Sequence, residues 1–134
     1  MSRIFETLHW IALLPEGWDG SEENAVVTFV SSNGGIGALQ VSTFVNDHKL
    51  VTPQSLFECA QTEQPTGALV HLCEVGNMPA AELIYDRDDR SWRKVWMGGN
   101  HTLLYITYNC KRGEERIERE KVDQLLSTLR LRIR

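Results

Sequence analysis

The stretch from Ser91 to Cys110 limits the possible folds of this chain more than any other. From Trp92 onward the side chains alternate, with Trp92, Lys94 and Trp96 on one side and Arg93, Val95 and Met97 on the other, the period of two that marks a strand. After Gly98, Gly99, Asn100 and His101 the alternation resumes. Leu103, Tyr105, Thr107 and Asn109 share one side, and Leu104, Ile106, Tyr108 and Cys110 share the other. Glycine and asparagine tolerate the positive φ of a tight turn, so the segment reads as a hairpin turning over residues 98–101. It holds two of the four tryptophans and two of the three tyrosines, so the rest of the chain is expected to pack around it. The second strand suits the middle of a sheet. The first mixes tryptophan with lysine and arginine, which suits a surface that meets a partner.

The remaining elements follow from patterning and punctuation. His9 to Leu14 reads as a strand closed by Pro15, Glu16 and Gly17, with Trp18 at the edge of the core. Ala25 to Val30 is β-branched and apolar enough for a second strand. Gly37 to Val45 makes a third, with Leu39, Val41 and Thr43 on its inner face. Thr52 followed by Pro53 starts a helix that should reach about Glu63, because threonine caps free amides and proline fits the first helical position. Ala68 to Val75 and Ala80 to Tyr85 are two further strands around Gly76 and Asn77. From Ile117 the apolar residues Val122, Leu125, Leu126, Leu129 and Ile133 form one stripe at helical spacing, which predicts a long amphipathic C-terminal helix lying on the sheet.

Composition narrows the function classes. A chain of 134 residues suits one domain, spanning 1–134, and 42% hydrophobic with 24% charged residues is ordinary for a globular protein. The net charge of −4 is unevenly placed: Lys111 to Arg134 carries eight Lys or Arg against five Asp or Glu, so the first 110 residues carry the acidity. An acidic body with a short basic tail argues against nucleic-acid binding. Arg130, Arg132 and Arg134 instead suit the negative end of a helix dipole. Three cysteines without a CxxC pair fit buried thiols in a reducing cytoplasm, and no basic start with an apolar run marks secretion. No segment has the length of about 20 apolar residues that a membrane span needs.

Candidate chemistries are few. Asn33-Gly34-Gly35-Ile36-Gly37 has neither the GK[ST] ending of a phosphate loop nor a GxGxxG spacing, and reads as a hairpin loop. Asp86, Asp88 and Asp89 begin like a calcium loop, but Arg90 and Ser91 stand where a ligand and a glycine are required. The four histidines form no HxH or HxxxH pair. His71 and Cys73 share one strand face, which is at most half of a zinc site. No metal and no cofactor is therefore expected. Strand and helix patterns place Cys59, Cys73 and Cys110 at core positions, where thiols are inert.

Leu14-Pro15-Glu16-Gly17-Trp18, Gly37-Ala38-Leu39-Gln40-Val41-Ser42 and Leu125-Leu126-Ser127-Thr128-Leu129, set in this order of elements, resemble the PsbP-like fold of the DcrB-like bacterial proteins and of Ran-binding regulators. The resemblance implies an α+β protein, a single αβα sandwich with a mainly antiparallel sheet of about six to seven strands. It also implies a role in binding proteins, including chaperones of secreted bacterial effectors, with no catalytic residues to carry over. The expected function is a non-enzymatic protein-binding module, an adaptor, effector chaperone or immunity-type protein. Trp18, Trp92, Lys94 and Trp96 are the candidate contacts, because tryptophan is enriched at interface hot spots. The alternative is a small enzyme or ligand-binding domain with a pocket near Cys73, His71 or Cys110.

Overall fold

The computed structural model describes residues 3–132. The elements are β1 (Arg3–Glu6), β2 (Trp10–Leu14), β3 (Trp18–Glu23), β4 (Val26–Ser31), β5 (Gly37–Val45), α1 (Pro53–Thr62), β6 (Val70–Val75), β7 (Met78–Arg87), β8 (Arg90–Gly99), β9 (Thr102–Lys111), α2 (Arg119–Ser127) and β10 (Arg130–Leu131). Seven strands form one antiparallel sheet in the order β3-β4-β5-β9-β8-β7-β6, and β1-β2-β10 form a second, small one. The expected hairpin is β8 and β9, and β9 occupies the central position of the large sheet.

Period-two alternation gives this sheet two buried faces of different extent. On one, Val27, Phe29, Leu39, Val41, Val95, Met97, Leu104 and Ile106 pack against α2 and the small sheet. On the other, Ala81, Leu83 and Trp96 pack against Leu56 and Ala60 of α1. The layers are thus α1, then the large sheet, then α2 with the three-stranded sheet. Phe5, Trp10 and Phe29 make an aromatic cluster with ring centroids 5.1 to 6.1 Å apart, and the Trp10 indole donates a 3.0 Å hydrogen bond to Thr43 Oγ1. Such a cluster ties the small sheet to the large one.

The hairpin turn is tighter than expected. Gly99 pairs with Thr102, so only Asn100 and His101 lie in the turn, and Asn100 alone takes a positive φ, of 51°. Gly98 is extended and serves another purpose: a Cβ there would run into the Thr102 carbonyl and come within 3.2 Å of Leu103 Cα. Helix α1 begins as expected, with a reciprocal cap in which Ser55 N–H donates to Thr52 Oγ1 and Thr52 N–H to Ser55 Oγ, at 3.1 and 2.8 Å. A cap of this kind is worth about 1 kcal/mol.

The C-terminal helix departs from expectation. α2 ends at Ser127, and Arg130 and Leu131 pair with Ile11 and Trp10 as a strand. Thr128 marks the exit. Its hydroxyl donates to Leu125 O and accepts the Leu13 N–H, so the backbone passes from helix to sheet at that side chain. The alternation Leu129, Arg130, Leu131, Arg132 is a strand pattern that a helical stripe overlaps by coincidence of spacing. Val122, Leu125, Leu126 and Leu129 are buried as the stripe requires, but Ile117 precedes the helix and is exposed. Ile133 and Arg134 lie outside the described residues. The Arg130 guanidinium still donates to Ser127 O and Leu129 O, so it does cap the end of α2, although from a strand.

Candidate functional site

Helix α1 packs mainly over β6, β7 and β8, and the core beneath it also takes in Leu103 and Tyr105 of β9. On the same face, β5, β4, β3 and the part of β9 beyond Tyr105 lie outside that core. Alternation puts Thr107 and Asn109 of β9, Ala38, Gln40, Ser42 and Phe44 of β5, and Val26, Thr28 and Val30 of β4 on this open half. Phe44 stands opposite Leu103, and Ala38 stands opposite Asn109, which pairs in turn with Trp92. Six residues separate these two rows, so the trough runs roughly 20 Å from Phe44 to Trp92 at about 3.4 Å per residue. At the Phe44 end it opens into a recess of about 520 Å³ lined by Leu50, Val51, Cys59, His101 and Leu103 among others. Phe44 is 55% exposed and Leu50 64%.

The floor between these ends is small or polar. The recess is held open by a fixed loop: His101 Nδ1 lies 2.7 Å from Lys49 O and 3.1 Å from Asn46 O, and Val51 N–H donates to Asn100 O at 2.7 Å. The loop 46–51 therefore cannot collapse over Phe44 without breaking these hydrogen bonds.

The wall of the trough is a charged cluster. Lys94 donates to Glu63 Oε1 at 2.6 Å, the Tyr105 hydroxyl donates to the same oxygen at 2.7 Å, and the Lys94 ammonium lies 5.3 Å from the Trp92 ring and 5.5 Å from the Tyr85 ring. Burial, the largest single influence, pushes the Glu63 carboxyl up, but hydrogen bonds from Lys94 and Tyr105 and the charge of Lys94 together hold it below 4.5. Burial and the bond to Glu63 push the Tyr105 phenol up to about 12. The Lys94 amine is also raised, its burial being outweighed by Glu63.

The four expected contacts have different fates. Trp18 and Trp96 are core residues, 3% and 4% exposed, and present no surface. Trp18 packs in the core shared with the small sheet, and Trp96 lies under α1 with its ring 5.1 Å from that of Tyr105. Lys94 is committed to Glu63 and two rings. Trp92 alone remains half-open, at the rim. Phe44 and Leu50 were missed because each sits in a short apolar pair, Phe44-Val45 and Leu50-Val51, with no pattern that marks a surface, and only the folded loop 46–51 brings them to one recess.

The residues of the alternative pocket are not gathered. Cys73 and His71 are exposed on β6, which corrects the expectation that all three cysteines are buried. Cys110 is buried, and Cys59 is intermediate. The sheet order puts β6 three strands from β9, with Cys73 in the row of Leu104 and His71 in that of Ile106. His71 is thereby roughly 20 Å from Cys110, from strand spacing and rise. Burial and neighbouring carboxylates push both thiols up, Glu82 acting on Cys73 and Glu115 on Cys110. A raised thiol is a poor nucleophile. A cavity of about 230 Å³ does adjoin Cys110, between Ile84, Tyr108 and Val122, but no histidine lines it. Asp88 and Asp89 form the two-residue turn between β7 and β8, and no cluster of three or more metal-ligating side chains occurs among the described residues.

No protein-family model matches the chain, and a sequence comparison with the curated proteins finds no match. Solved structures do match in shape. Cyanobacterial PsbP (CyanoP) from Synechocystis sp. PCC 6803 aligns over 98% of this chain and 92% of its own, with a TM-score of 0.64 at 12% identity. The fold is that of the PsbP-like proteins. LpqN, involved in cell envelope biogenesis of Mycobacterium tuberculosis, aligns over 99% and 91% with a TM-score of 0.65 at 11% identity. A protein from Bacteroides thetaiotaomicron reaches 0.71 at 12% identity over 92% of this chain, which spans 45% of that protein's length. Among the described residues no helix is long and apolar enough to cross a membrane.

Proposed function

We propose that this chain is a non-enzymatic protein-binding module, an adaptor, chaperone or immunity-type protein, that receives an amphipathic segment of its partner along the open half of the large sheet. The observation that carries this reading is the uncovered trough with exposed Phe44 and Leu50 at one end and half-open Trp92 at the other. Its length of roughly 20 Å matches about 13 residues of helix at 1.5 Å each. Apolar side chains at both ends of a polar floor suit a segment with anchors near its two ends. The acidity of the first 110 residues favours basic flanks on the partner. An exposed free thiol at Cys73 is compatible with a reducing compartment such as the cytoplasm.

The test is affinity capture with wild type and with Phe44→Glu/Leu50→Glu. Both positions are exposed, so the variant should melt as wild type does and lose the captured partner. Unchanged capture by the double variant would remove the trough as the binding surface.

A further inference from the structure

The two edges of the large sheet are unlike. Edge strand β3 carries Asp19, Glu22 and Glu23, the charges with which sheets discourage further pairing. Edge strand β6 reads Val70-His71-Leu72-Cys73-Glu74-Val75, with no lysine, no proline and one acid. Leu72 is 54% exposed, and Leu69, just before the strand, is 70% exposed. Among the described residues nothing pairs with the outer side of β6.

We propose that two copies of this chain join through β6, antiparallel to one another, to make one continuous sheet. The register follows from the backbone. Val75 pairs with Met78 across the two-residue turn Gly76-Asn77, so this closing pair is hydrogen-bonded, and the next pair, Glu74 with Pro79, is not. Proline has no N–H, which fits that position. Glu74, Leu72 and Val70 therefore direct their N–H and C=O groups outward, and a second strand must hydrogen-bond to these three.

Two copies meeting on a two-fold axis can satisfy this with Leu72 opposite its own copy and Val70 opposite Glu74, giving about six backbone hydrogen bonds. In that register Leu69 faces Val75, and Leu72 is covered by its copy. Shifting the axis to Cys73 sets Leu72 against Glu74 twice, and shifting it to His71 stacks two histidines and draws in residues before the strand. The helices do not obstruct the pairing. α1 is centred on β7, so with strands about 4.8 Å apart the two α1 axes would lie about 14 Å apart, beyond the 8 to 10 Å of packed helices. An edge of six residues belongs to the small, weak class of interfaces, so dissociation should fall in the micromolar range, on the order of 10 μM. The inference is independent of what occupies the open trough.

Sedimentation from about 1 to about 100 μM spans that range. The wild type should rise from 15.3 kDa toward twice that mass. Leu72→Lys places two ammonium groups face to face on the axis and should stay at 15.3 kDa with an unchanged melting curve. In a Cys73→Ser background, Leu72→Cys should oxidise readily to a linked dimer, because opposed hydrogen-bonded residues lie about 5.5 Å apart at Cα. A wild type that stays monomeric throughout, or a Leu72→Lys variant that still dimerises, would overturn the proposal. Cross-linking through native Cys73 but not through Leu72→Cys would overturn the register. If Leu72→Lys melts abnormally, the cysteine variant decides alone.

Discussion

Glu118 is buried, 6% exposed, immediately before α2, and one of its oxygens holds together three distant parts of the chain. Oε1 accepts the Tyr108 hydroxyl from β9 at 2.7 Å and the Gly37 N–H from the start of β5 at 3.1 Å. Glu118→Ala removes the acceptor and leaves two donors with restricted access to water. At about 1 to 3 kcal/mol for each of the two stranded groups, the loss should be about 2 to 6 kcal/mol, a large share of a domain's total stability. Tyr108→Phe takes away one donor and keeps the Gly37 bond, so it should cost about 1 to 2 kcal/mol. Urea titration followed by tryptophan fluorescence measures each, and the double variant closes the cycle. A coupling of about 1.5 kcal/mol is expected, and additivity within about 0.5 kcal/mol would refute the reasoning. The pH dependence has a definite sign. Burial, then the bond to Glu118, raise the Tyr108 phenol above its ordinary 10.0, so the folded state holds this proton more tightly than the unfolded chain does. The contribution should be complete below pH 10.0 and fall as the solution becomes more alkaline.

Trp96→Ala should cost about 3 to 5 kcal/mol because it empties the core beneath α1, whereas Trp92→Ala, at the rim, should cost less than about 1.5 kcal/mol; thermal melts rank the two. Glu63 has its carboxyl lowered in the fold, so its contribution is present above pH 4.5 and lost as pH falls through the folded value. Glu63→Gln should flatten the acid limb of the stability curve, and an unchanged limb would contradict the Lys94 and Tyr105 contacts. Asn24 and Ala25 both take positive φ, 53° and 66°, in the turn between β3 and β4. Ala25→Gly should stabilise by about 1 kcal/mol, the cost of a left-handed conformation in a residue with a Cβ, and a loss of stability on denaturation would show that other contacts fix this turn.

Those elements whose patterns are local were legible from residues alone. Gly37 to Val45 became β5 with the boundaries its alternation gives, and Thr52-Pro53 started α1 with its cap. Strands that exist only by pairing were not. β1 is four residues long with no clear pattern, the alternation around the two-residue β10 is masked by the helical stripe that overlaps it, and β3 begins at Trp18 and continues through Asp19, Gly20, Ser21, Glu22 and Glu23, which reads as a polar turn. The same limit applied to the site. Tryptophan composition drew attention to Trp18 and Trp96, but burial is decided by which face α1 and the small sheet cover, and that is a tertiary fact.

The placement of α1 connects these points. Its buried side chains, Leu56 and Ala60, reach only the half of the sheet that carries Ala81, Leu83 and Trp96. Beyond Tyr105 the same face changes to Thr107, Gln40, Ser42 and Thr28, which gain little from a covering helix and can rest against water, as one side of an antiparallel sheet commonly does. Phe44 and Leu50, together with Val26 and Val30 of β4, are the larger apolar members of that surface. Phe44 and Leu50 each remain more than half exposed, which would be expected to lower solubility slightly. Two large apolar side chains at the mouth of one recess support the binding surface proposed above. Substituting both with glutamate therefore separates binding from folding, whereas any substitution at Trp96 confounds them.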